Sequence, residues 1–495
     1  MRRGSPSGAL MMPGGQGTFG RCRYHFGFDR KAFRRPSSFV LTPLDVIILA
    51  AGQGKRMHSA QPKVLHLLAG KPLVLHVIDA ARALSPRSIC LVYGHGGERV
   101  RDALAAPDLV LALQDPPRGT GDAVRCALPL LKGDGVTLVI LGDVPLVSIE
   151  SLAAVVETAR NGRLGLLTAK VADPGGLGRV LRDPYGHVRG IVEARDATPD
   201  QLAVDEINTG VMAAPSRALA RWVAALSPNN AQREYYLTDA IAMAASEGMA
   251  IEAHRAPDAR DVGGVNDRAQ LVEAERILQR RRAESLLRAG TWIADPARFD
   301  QRGELACGRD VRIDVGCVFE GNVVLGDGVT IGAYCVLKDA RIAAGATVAP
   351  FSVIEGATIG ESARIGPYAR LRPGTVLHEH VHIGNFVEVK ASTLGKGAKA
   401  NHLAYVGDAV LGANVNFGAG AITANYDGAN KHRTTIGDNA HVGSNCVLVA
   451  PVTIGAGATI GGGSTIARDA PAASLTLTRA QQITVEGWTR PAKKE

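Results

Sequence analysis

The sequence predicts two folded parts of different class. An α/β, Rossmann-like domain with a largely parallel sheet comes first, and a linker helix joins it to a left-handed parallel β-helix. Apolar β-type runs alternate with helical stretches from residue 44 to about residue 265, whereas an aliphatic residue recurs about every six positions from residue 313 to residue 466. Of the 495 residues, 46% are hydrophobic and 21% charged, which is enough for more than one core and excludes a disordered chain.

The α/β domain is predicted to span 44–265. Continuous apolar strands that alternate with helices are typical of a parallel sheet that is covered on both faces. The apolar runs predict strands at 44–49, 88–93, 109–113, 136–141 and 164–170, with helices at 73–84, 123–131 and 151–160 among the segments between them.

One long helical pattern follows at 266–290 and ends at Gly290, so we expect a linker helix there. The basic run 280–282 lies in this helix. We interpret it as a solvated helix face rather than a binding patch, because short charge runs on helices usually face water.

The β-helix is predicted to span 291–474, with 475–495 as a C-terminal tail. Each repeat would form one short strand with its aliphatic side chain inward and with glycine or another small residue at a tight corner. Most intervals are six residues long and a few are five. The predicted inward residues are Ile313, Phe319, Leu325, Ile331, Leu337, Ile342, Val348, Ile354, Ile359, Ile365, Leu371, Leu377, Ile383, Val389, Leu394, Ala400, Val406, Leu411, Phe417, Ile436, Val442, Leu448, Ile454, Ile460 and Ile466.

The repeat is interrupted at 423–435, a segment that contains Asn425, Tyr426 and Gly428. An extra loop on one face of a solenoid frequently carries function. A tolerated surface insertion is the alternative interpretation.

The net charge of +9 and a pI near 9.3 nominally suggest a nucleic acid or an acidic membrane as partner. Residues 1–41, however, hold eight basic residues and one acidic residue, which leaves only +2 for the rest of the chain. Neither nucleic acid nor membrane is therefore expected, and apolar runs such as 46–51 are too short to span a bilayer.

The leader, 1–43, is predicted to be disordered or untranslated, with Leu41 as an alternative start. A twin-arginine export signal at Arg34 and Arg35 is the weaker alternative, because Asp45 interrupts the apolar run that would follow it. The seven cysteines are dispersed and form no C-x-x-C pair. They predict reduced, packed thiols in a cytoplasm rather than a disulfide framework or a zinc site.

A Gly-rich turn after the first strand is the first candidate site. Gly52 and Gly54 offer free backbone N–H groups to phosphates, although the turn is neither a Walker A motif nor a complete dinucleotide fingerprint. Arg56 and Lys63 add cations that neutralise phosphate charge. Asp143 follows the strand that ends at residue 141, where a carboxylate can hold Mg²⁺; a turn or N-cap role is the alternative.

Several motifs of the first half resemble those of sugar-1-phosphate nucleotidylyltransferases. With the β-helix that follows, the chain over 44–494 resembles the family of bifunctional bacterial N-acetylglucosamine-1-phosphate uridyltransferases and glucosamine-1-phosphate acetyltransferases. The motifs are L-A-A-G-x-G-x-R-M at 49–57, P-K-V-L-H at 62–66, Q at 114, G-T-G at 119–121, G-D-V-P-L at 142–146, I-V-E at 191–193, I-N-T-G at 207–210 and G-V-N at 264–266.

The resemblance implies transfer of UMP from UTP to N-acetylglucosamine-1-phosphate, with Mg²⁺ held by Asp143 and Asn266. Arg56 and Lys63 would act on the phosphates. The attacking phosphate oxygen is already anionic at neutral pH, so catalysis needs positioning and charge neutralisation rather than a base. The implied UDP-sugar site is Leu49, Ala50, Ala51, Gly52, Lys63, Gln114, Gly119 and Thr120 for the nucleotide, and Gly178, Glu193, Asn208 and Asn266 for the sugar and phosphates.

Acetyl transfer from acetyl-CoA to an amine requires a general base, for which His402 is the candidate, although a lone histidine on a β-helix is more often structural. We expect Glu388 to orient its imidazole. The implied sugar-phosphate site is Arg372, Lys390, Tyr405, Asn416, Asn425, Tyr426 and Lys431, and the implied acetyl-CoA site is Ala419, Ser444, Gly462 and Arg479.

The sequence departs from the family pattern at three places. Leu141 stands where the family usually has Tyr, and Asp122 stands where it often has His. Both put the details of sugar contacts in doubt. The segment 478–481 reads T-R-A-Q instead of S-R-V-P, which puts the shape of that segment in doubt.

The leading hypothesis is a two-site cytoplasmic enzyme that makes UDP-N-acetylglucosamine for peptidoglycan and lipopolysaccharide precursors. The alternative is a single-activity nucleotidylyltransferase whose β-helix is only a trimerisation scaffold. A binding protein with degenerate sites would instead predict loss of Asp143, Asn266 or Lys63, and all three are present. The resemblance also implies a homotrimer, in which the tail 475–495 reaches a neighbouring subunit.

Overall fold

The computed structural model describes residues 42–491 and 493, except residues 53, 95, 96 and 105. The predicted leader therefore lies almost wholly outside the described residues, and so do its alternative start and export signal. None of the helices within the described ranges is long and apolar enough to cross a membrane.

The first half contains a nine-stranded sheet in the order β11-β7-β10-β6-β1-β4-β5, with β8 beside β10 and β9 beside β8. Strands β6, β1, β4 and β5 are parallel, whereas β10 runs antiparallel to both β6 and β7. The strands of this half, of which β2 and β3 form a separate two-stranded sheet, are β1 Leu44–Ala50, β2 Leu67–Leu68, β3 Lys71–Pro72, β4 Ser88–Gly94, β5 Leu109–Gln114, β6 Val136–Leu141, β7 Leu164–Lys170, β8 Arg179–Arg182, β9 Val188–Val192, β10 Glu206–Pro215 and β11 Ile251–Arg255.

Helices cover both faces of this sheet. Along β1, Val46 and Ile48 face one apolar layer that includes α1 and α4, while Ile47 faces the opposite layer, which includes α3, α6 and α7. Both faces of the central strands are thus buried, as a continuous apolar run predicts. The helices of this half are α1 Leu73–Ala83, α2 Glu98–Leu104, α3 Thr120–Ala127, α4 Ile149–Arg160, α5 Pro199–Leu202, α6 Ser216–Ala225 and α7 Asp239–Ser246.

The five predicted strands are present, with ends that differ by at most one residue. The helix predicted at 123–131 was wrong at both ends. It starts earlier, at Thr120, and ends at Ala127, after which Leu128–Leu130 forms a 3-10 turn. Pro129 lies in that turn and has no N–H to continue an α-helical ladder.

The linker is helix α8, Arg268–Arg288, whose N-cap Asp267 accepts a hydrogen bond from the backbone N–H of Gln270 at 2.9 Å. The interpretation of 280–282 as a solvated face was wrong for two of its three arginines. Arg281 pairs with Asp261 of the α/β half, and Arg282 donates to a backbone carbonyl of the β-helix. Burial lowers the pKa of Arg282. These side chains therefore hold the two halves together.

The second half is a parallel β-helix with an 11-stranded and a 17-stranded sheet, here called the first and the second sheet. Every named strand pair in it is parallel, and partners lie one coil apart. The first sheet contains β12 Trp292–Ile293, β14 Arg312–Ile313, β16 Thr330–Ile331, β19 Thr347–Val348, β22 Arg364–Ile365, β25 His382–Asn385, β28 Lys399–His402, β31 Asn416–Phe417, β34 His441–Val442, β37 Thr459–Ile460 and β39 Leu475–Thr476.

The second sheet contains all the other strands of the β-helix. Its strands are β13 Asp300–Cys307, β15 Val318–Leu325, β17 Val336–Lys338, β18 Arg341–Ile342, β20 Val353–Glu355, β21 Ala357–Ile359, β23 Arg370–Leu371, β24 Thr375–Leu377, β26 Glu388–Lys390, β27 Thr393–Leu394, β29 Tyr405–Gly407, β30 Ala409–Leu411, β32 Ile422–Ala424, β33 Thr434–Ile436, β35 Val447–Val449, β36 Val452–Ile454 and β38 Thr465–Ile466.

All the predicted inward residues of the repeat lie in one continuous buried core. Burial of each such aliphatic side chain stabilises the fold by roughly 1.5–3 kcal/mol. At the predicted interruption, Thr423 takes the inward position and is buried. Its hydroxyl still has a hydrogen-bond partner, because it donates to the carbonyl oxygen of Gly407 at 2.9 Å. The loop itself therefore begins two residues later than predicted, after β32 ends at Ala424.

Candidate functional sites

The first site lies at the carboxyl ends of β1 and β6. These parallel strands pair Leu49 with Leu141, so the chain leaves both strands at the same edge of the sheet. The N–H of Gly142 donates to the carbonyl of Leu49 at 2.9 Å, and a Cβ added at 142 would lie only 3.1 Å from the Cβ of Ala50. Glycine at 142 thus lets the two loops approach closely.

Lys63, Asp143 and Asn266 converge at this edge. The Nζ of Lys63 donates to Oδ2 of Asp143 and to Oδ1 of Asn266, the latter at 3.1 Å. The Lys63 side chain is 10% exposed and that of Asp143 18%. Gly54 has a left-handed φ of 61°, and a Cβ there would lie 2.6 Å from the Cβ of Lys63. The Gly-rich turn therefore packs directly against this lysine.

A cavity of about 380 Å³ opens beside this cluster. It includes every residue that the resemblance implied for the nucleotide, together with Asp143. Those residues are Leu49, Ala50, Ala51, Gly52, Lys63, Gln114, Gly119 and Thr120.

A second cavity, of about 620 Å³, adjoins the first, because Leu49, Thr120, Leu141 and Asp143 line both. Leu141 therefore lies in the site, so its departure from the family pattern affects residues that line the cavities. The second cavity also contains the predicted sugar residues Gly178, Glu193 and Asn208, the predicted ligand Asn266, and Arg56.

Glu193 is the carboxylate of the sugar side of the site. Its Oε1 accepts a hydrogen bond from the Thr238 hydroxyl at 3.0 Å, and burial raises its pKa. A Cβ at Gly178 would lie 3.3 Å from Oε2 of Glu193, so the backbone there passes close to the carboxylate. The N–H of Asn208 donates to the carbonyl of Gly178 at 2.9 Å, which ties these three residues into one wall.

Asp122 does not contact the sugar side, contrary to what its departure from the family pattern suggested. Its buried carboxylate accepts a hydrogen bond from Nε2 of Gln114 at 3.0 Å. Gln114 lines the nucleotide cavity, so the departure affects the nucleotide end of the site instead.

The second site lies on the β-helix, at the corner that follows the first sheet. Here the backbone of each coil bonds to the next: Leu403 N–H donates to Asn385 O, Gly420 to His402, Asn445 to Ala419 and Gly463 to Ser444. One position on five successive coils is thereby aligned along the axis of the β-helix. This acyl column consists of Asn385, His402, Ala419, Ser444 and Gly462.

The acyl column brings the predicted base into line with three of the four residues predicted for acetyl-CoA. The fourth, Arg479, lies beside its upper end, because a Cβ at Gly461 would be 3.6 Å from the Arg479 guanidinium. The segment 478–481 is anchored where the N–H of Thr478 donates to the Ser464 hydroxyl at 3.1 Å.

A basic cluster lies on the second sheet, immediately after this corner. Lys390 is 3.7 Å from the carboxylate of Asp408, which also accepts from the amide of Asn425. The proximity of Lys390 lowers the pKa of Lys431. Two ammonium groups held this close, with a hydroxyl from Tyr405 3.5 Å from Asn425, form a site for a small dianion.

Glu388 does not contact the His402 imidazole within this chain. Its carboxylate accepts from Arg372 at 2.8 Å, whereas Nδ1 of His402 contacts Oδ1 of Asn385 at 2.8 Å. The sequence reasoning missed Asn385 as the partner of the imidazole. The available signal was its spacing, since Asn385 precedes His402 by 17 residues, the length of one coil.

Of two further predicted sugar-contacting residues, Asn416 does not join the basic cluster, whereas Tyr426 forms a β-bridge with Lys431 of that cluster. Asn416 begins β31 of the first sheet and pairs with Lys399 and His441, not with the second sheet. The Tyr426 hydroxyl donates to Gly428 O at 2.6 Å, and its side chain is largely exposed in the loop. Asp408, which joins Lys390 to Asn425, was not predicted.

Comparison with known families matches both halves. A model described as a MobA-like NTP transferase domain matches residues 46–233. A model for the GMPPB C-terminal domain matches 302–393, and one for the bacterial transferase hexapeptide, in six repeats, matches 433–468. Fold and sites together define a nucleotidyltransferase joined to a hexapeptide-repeat transferase.

Comparison with individual relatives shows which family of this class the chain belongs to. The bifunctional protein GlmU of Methylibium petroleiphilum is 58% identical over 458 residues, which cover 91% of this chain and all of the relative. GlmU of Cupriavidus pinatubonensis is 56% identical, covering 91% of this chain and 99% of its own, and that of Burkholderia pseudomallei is 55% identical, covering 91% and 100%. The chain belongs to the GlmU family of bifunctional proteins.

Membership of this family confirms the resemblance found in the sequence. The chain is a bifunctional enzyme of UDP-N-acetylglucosamine synthesis, with a uridyltransferase and an acetyltransferase activity. The alternative of a single activity on a passive scaffold is not favoured.

Proposed function

We propose that the β-helix acetylates glucosamine-1-phosphate and that the α/β half then transfers UMP from UTP to the product. The observation that carries this assignment of reactions to sites is the presence of two separately built anion sites in one chain. Lys63 lies between Asp143 and Asn266 in the first site. Lys390 and Lys431 lie close together, beside Asp408, in the basic cluster of the second.

In the uridylyl site, the phosphate oxygen of N-acetylglucosamine-1-phosphate attacks the α-phosphorus of UTP. A P–O bond forms as the bond to pyrophosphate breaks, and the pyrophosphate carries the charge away. Because the attacking oxygen is already anionic, this chain contributes orientation and positive charge. Lys63 and Arg56 supply that charge, and the Gly52 turn supplies backbone N–H groups to the phosphates.

Mg²⁺ is proposed as the cofactor of this site. The oxygens of Asp143 and Asn266 already share one cation, the Lys63 ammonium, so the donor set fits a hard cation completed by phosphate oxygens and water. When bound, the metal neutralises charge on the phosphates. Lys63 is then free to contact phosphate oxygens of the substrate.

In the acetyl site, the amine of glucosamine-1-phosphate attacks the thioester carbonyl of acetyl-CoA. The C–N bond forms, the C–S bond breaks, and CoA leaves as the thiolate that accepts a proton. Oδ1 of Asn385 can only accept, so the contact with Nδ1 of His402 requires an Nδ1–H donor and leaves Nε2 free to take the proton from the amine. Acetyl-CoA would extend along the acyl column.

Direct acyl transfer, without an acyl-enzyme, is proposed because the nearby thiol is a packing residue. Cys446 is fully buried in the core of the β-helix, and its Sγ contacts the Gly461 carbonyl at 3.3 Å. A buried thiol held in this way is a poor nucleophile.

We further propose that the protein is a homotrimer. It would act in the cytoplasm and supply precursors of peptidoglycan and lipopolysaccharide. A trimer is supported by the hexapeptide β-helix and by the position of Asn416, which lies on the first sheet and not in the basic cluster of its own chain. A neighbouring subunit would bring such a residue to the site. Light scattering should give three times the chain mass of 51.8 kDa, and a monomeric mass would contradict this part.

The assignment of the two reactions is tested with the purified protein, glucosamine-1-phosphate, acetyl-CoA, UTP and Mg²⁺. Free thiol should appear with glucosamine-1-phosphate and acetyl-CoA alone, and pyrophosphate should appear only when N-acetylglucosamine-1-phosphate is present or has been made. Pyrophosphate release without any thiol release would contradict the acetyl half of the proposal.

Glu193→Gln should raise the KM for N-acetylglucosamine-1-phosphate roughly tenfold, because a neutral amide is a weaker acceptor for sugar hydroxyls. It should also stabilise the protein at neutral pH. The folded pKa of Glu193 is raised, so the folded state binds more protons and loses stability as pH rises between the unfolded and folded pKa values. Steady-state kinetics and thermal unfolding measure the two effects.

The matched control for this variant is Glu157→Gln, at an exposed glutamate of the same domain, which should change neither quantity. An unchanged KM in Glu193→Gln would remove this residue from the sugar site.

A further inference from the structure

Asp122 is a buried carboxylate that lies behind the nucleotide cavity. It belongs to the first turn of α3, and its side chain is only 2% exposed. Its Oδ2 accepts from Gln114 and its Oδ1 accepts from Arg118, each at 3.0 Å. Among the described residues, those that line the two cavities include Gln114 but not Asp122. Asp122 is therefore connected to the nucleotide cavity through its hydrogen bond with Gln114.

The hydrogen bonds of Gln114 define which way its amide points. Its Nε2 donates both to the carboxylate of Asp122 and to the carbonyl oxygen of Gly119, at 3.0 Å each. An ionised carboxylate and a backbone carbonyl only accept, so both contacts require the NH₂ group of the amide. The amide cannot flip without facing two acceptors with its own oxygen. Its Oε1, an acceptor, is what remains for a ligand in the cavity.

We propose that Asp122 is a positioning residue that sets the nucleobase specificity of the uridylyl site by holding Gln114 with its oxygen toward the base. The inference rests on the proposed function, to which it adds that Gln114, in the nucleotide cavity, contacts the base. Uracil presents an N3–H donor between its two carbonyl groups, which matches an acceptor. Cytosine has an acceptor at N3, so the same Gln114 oxygen meets a lone pair and the cytosine base is rejected.

Two arginines lie beside the Asp122 carboxylate. Arg118 donates to Asp122, and Arg125 is 3.9 Å from the same oxygen. Both guanidinium groups also lie over the Tyr235 ring, at 5.9 and 4.4 Å from its centroid. The carboxylate is thus paired on the side away from Gln114, as a buried charge requires.

The test is Asp122→Asn, assayed for pyrophosphate release with UTP and with CTP in the full chain. An asparagine can present either its oxygen or its NH₂ to Gln114, so that only the Gly119 carbonyl still opposes a flip of the amide. We expect kcat/KM for UTP to fall roughly tenfold, mostly through KM, and the UTP-to-CTP ratio of kcat/KM to fall by a similar factor.

Asp134→Asn is the matched control, because it changes an exposed carboxylate that is also paired with an arginine, Arg87. It should leave the UTP-to-CTP ratio unchanged. Acetyl transfer by the same polypeptide reports that the chain has folded, and Asp122→Ser serves if the asparagine variant unfolds. A wild-type enzyme without UTP activity would overturn the proposed function. Full UTP selectivity in both Asp122 variants would overturn the role of Asp122 alone.

Discussion

His402→Ala should lower the rate of acetyl transfer by roughly 10²–10⁴-fold while pyrophosphate release from UTP stays at the wild-type rate. The magnitude is that of a lost general base. The physical reason is that the amine must lose a proton as the C–N bond forms, and Nε2 is the nitrogen that the Asn385 contact leaves free. Thiol release and pyrophosphate release, followed separately on one preparation, measure the two activities.

The control for this variant is His378→Ala, which removes an exposed histidine from the same β-helix without touching the acyl column. It should keep both activities. Loss of both activities in His402→Ala would show a folding defect rather than a missing base. Undiminished acetyl transfer in His402→Ala would mean that another residue is the base and that His402 of the acyl column takes no part in the reaction.

Asp143→Asn should lower uridylyl transfer by about a thousandfold, which corresponds to roughly 4 kcal/mol of transition-state stabilisation. Two effects contribute. The site loses the charged oxygen donor proposed for Mg²⁺, and the Lys63 ammonium, only 10% exposed, loses its carboxylate partner. Acetyl transfer should be unchanged, since the basic cluster and acyl column lie in the other half of the chain.

Metal dependence provides a second measurement of the Asp143 prediction. Addition of a chelator should stop pyrophosphate release by the wild-type enzyme and leave thiol release intact. Asp102→Asn, at an exposed aspartate paired with Arg101, is the matched control and should behave as wild type. A wild-type uridylyl rate in Asp143→Asn would exclude this carboxylate from the metal and phosphate machinery.

The β-helix could be predicted almost residue by residue because its pattern is local. Each inward side chain follows from the period of six, and every predicted inward residue is in the core. The same regularity would have identified Asn385, one coil before His402, had the coil length been used to search for neighbours. The pairing of Glu388 with Arg372 could not be read in this way, because it depends on side-chain direction as well as register.

The α/β half was predictable at the level of strands and motifs, and less so in its polar contacts. A tertiary contact decided the role of Asp122, which looked like a perturbation of the sugar site and instead holds Gln114. Tertiary contacts also decided the roles of Arg281 and Arg282, which charge alone assigned to solvent. The ion-pair and hydrogen-bond partners of such arginines cannot be identified from the sequence, because they belong to segments that only the fold brings close.

Composition, periodicity and motif order were sufficient to establish two domains, their fold classes and the family. Those properties depend on hydrophobic patterns that recur over a few residues, so they can be read along the chain. The arrangement of the uridylyl site could be seen only in the tertiary structure, because Lys63 contacts Asp143 across 80 residues of sequence and Asn266 across 203. Contacts at such separations arise only when the sheet brings the ends of distant strands to one edge, and that convergence creates the anion site.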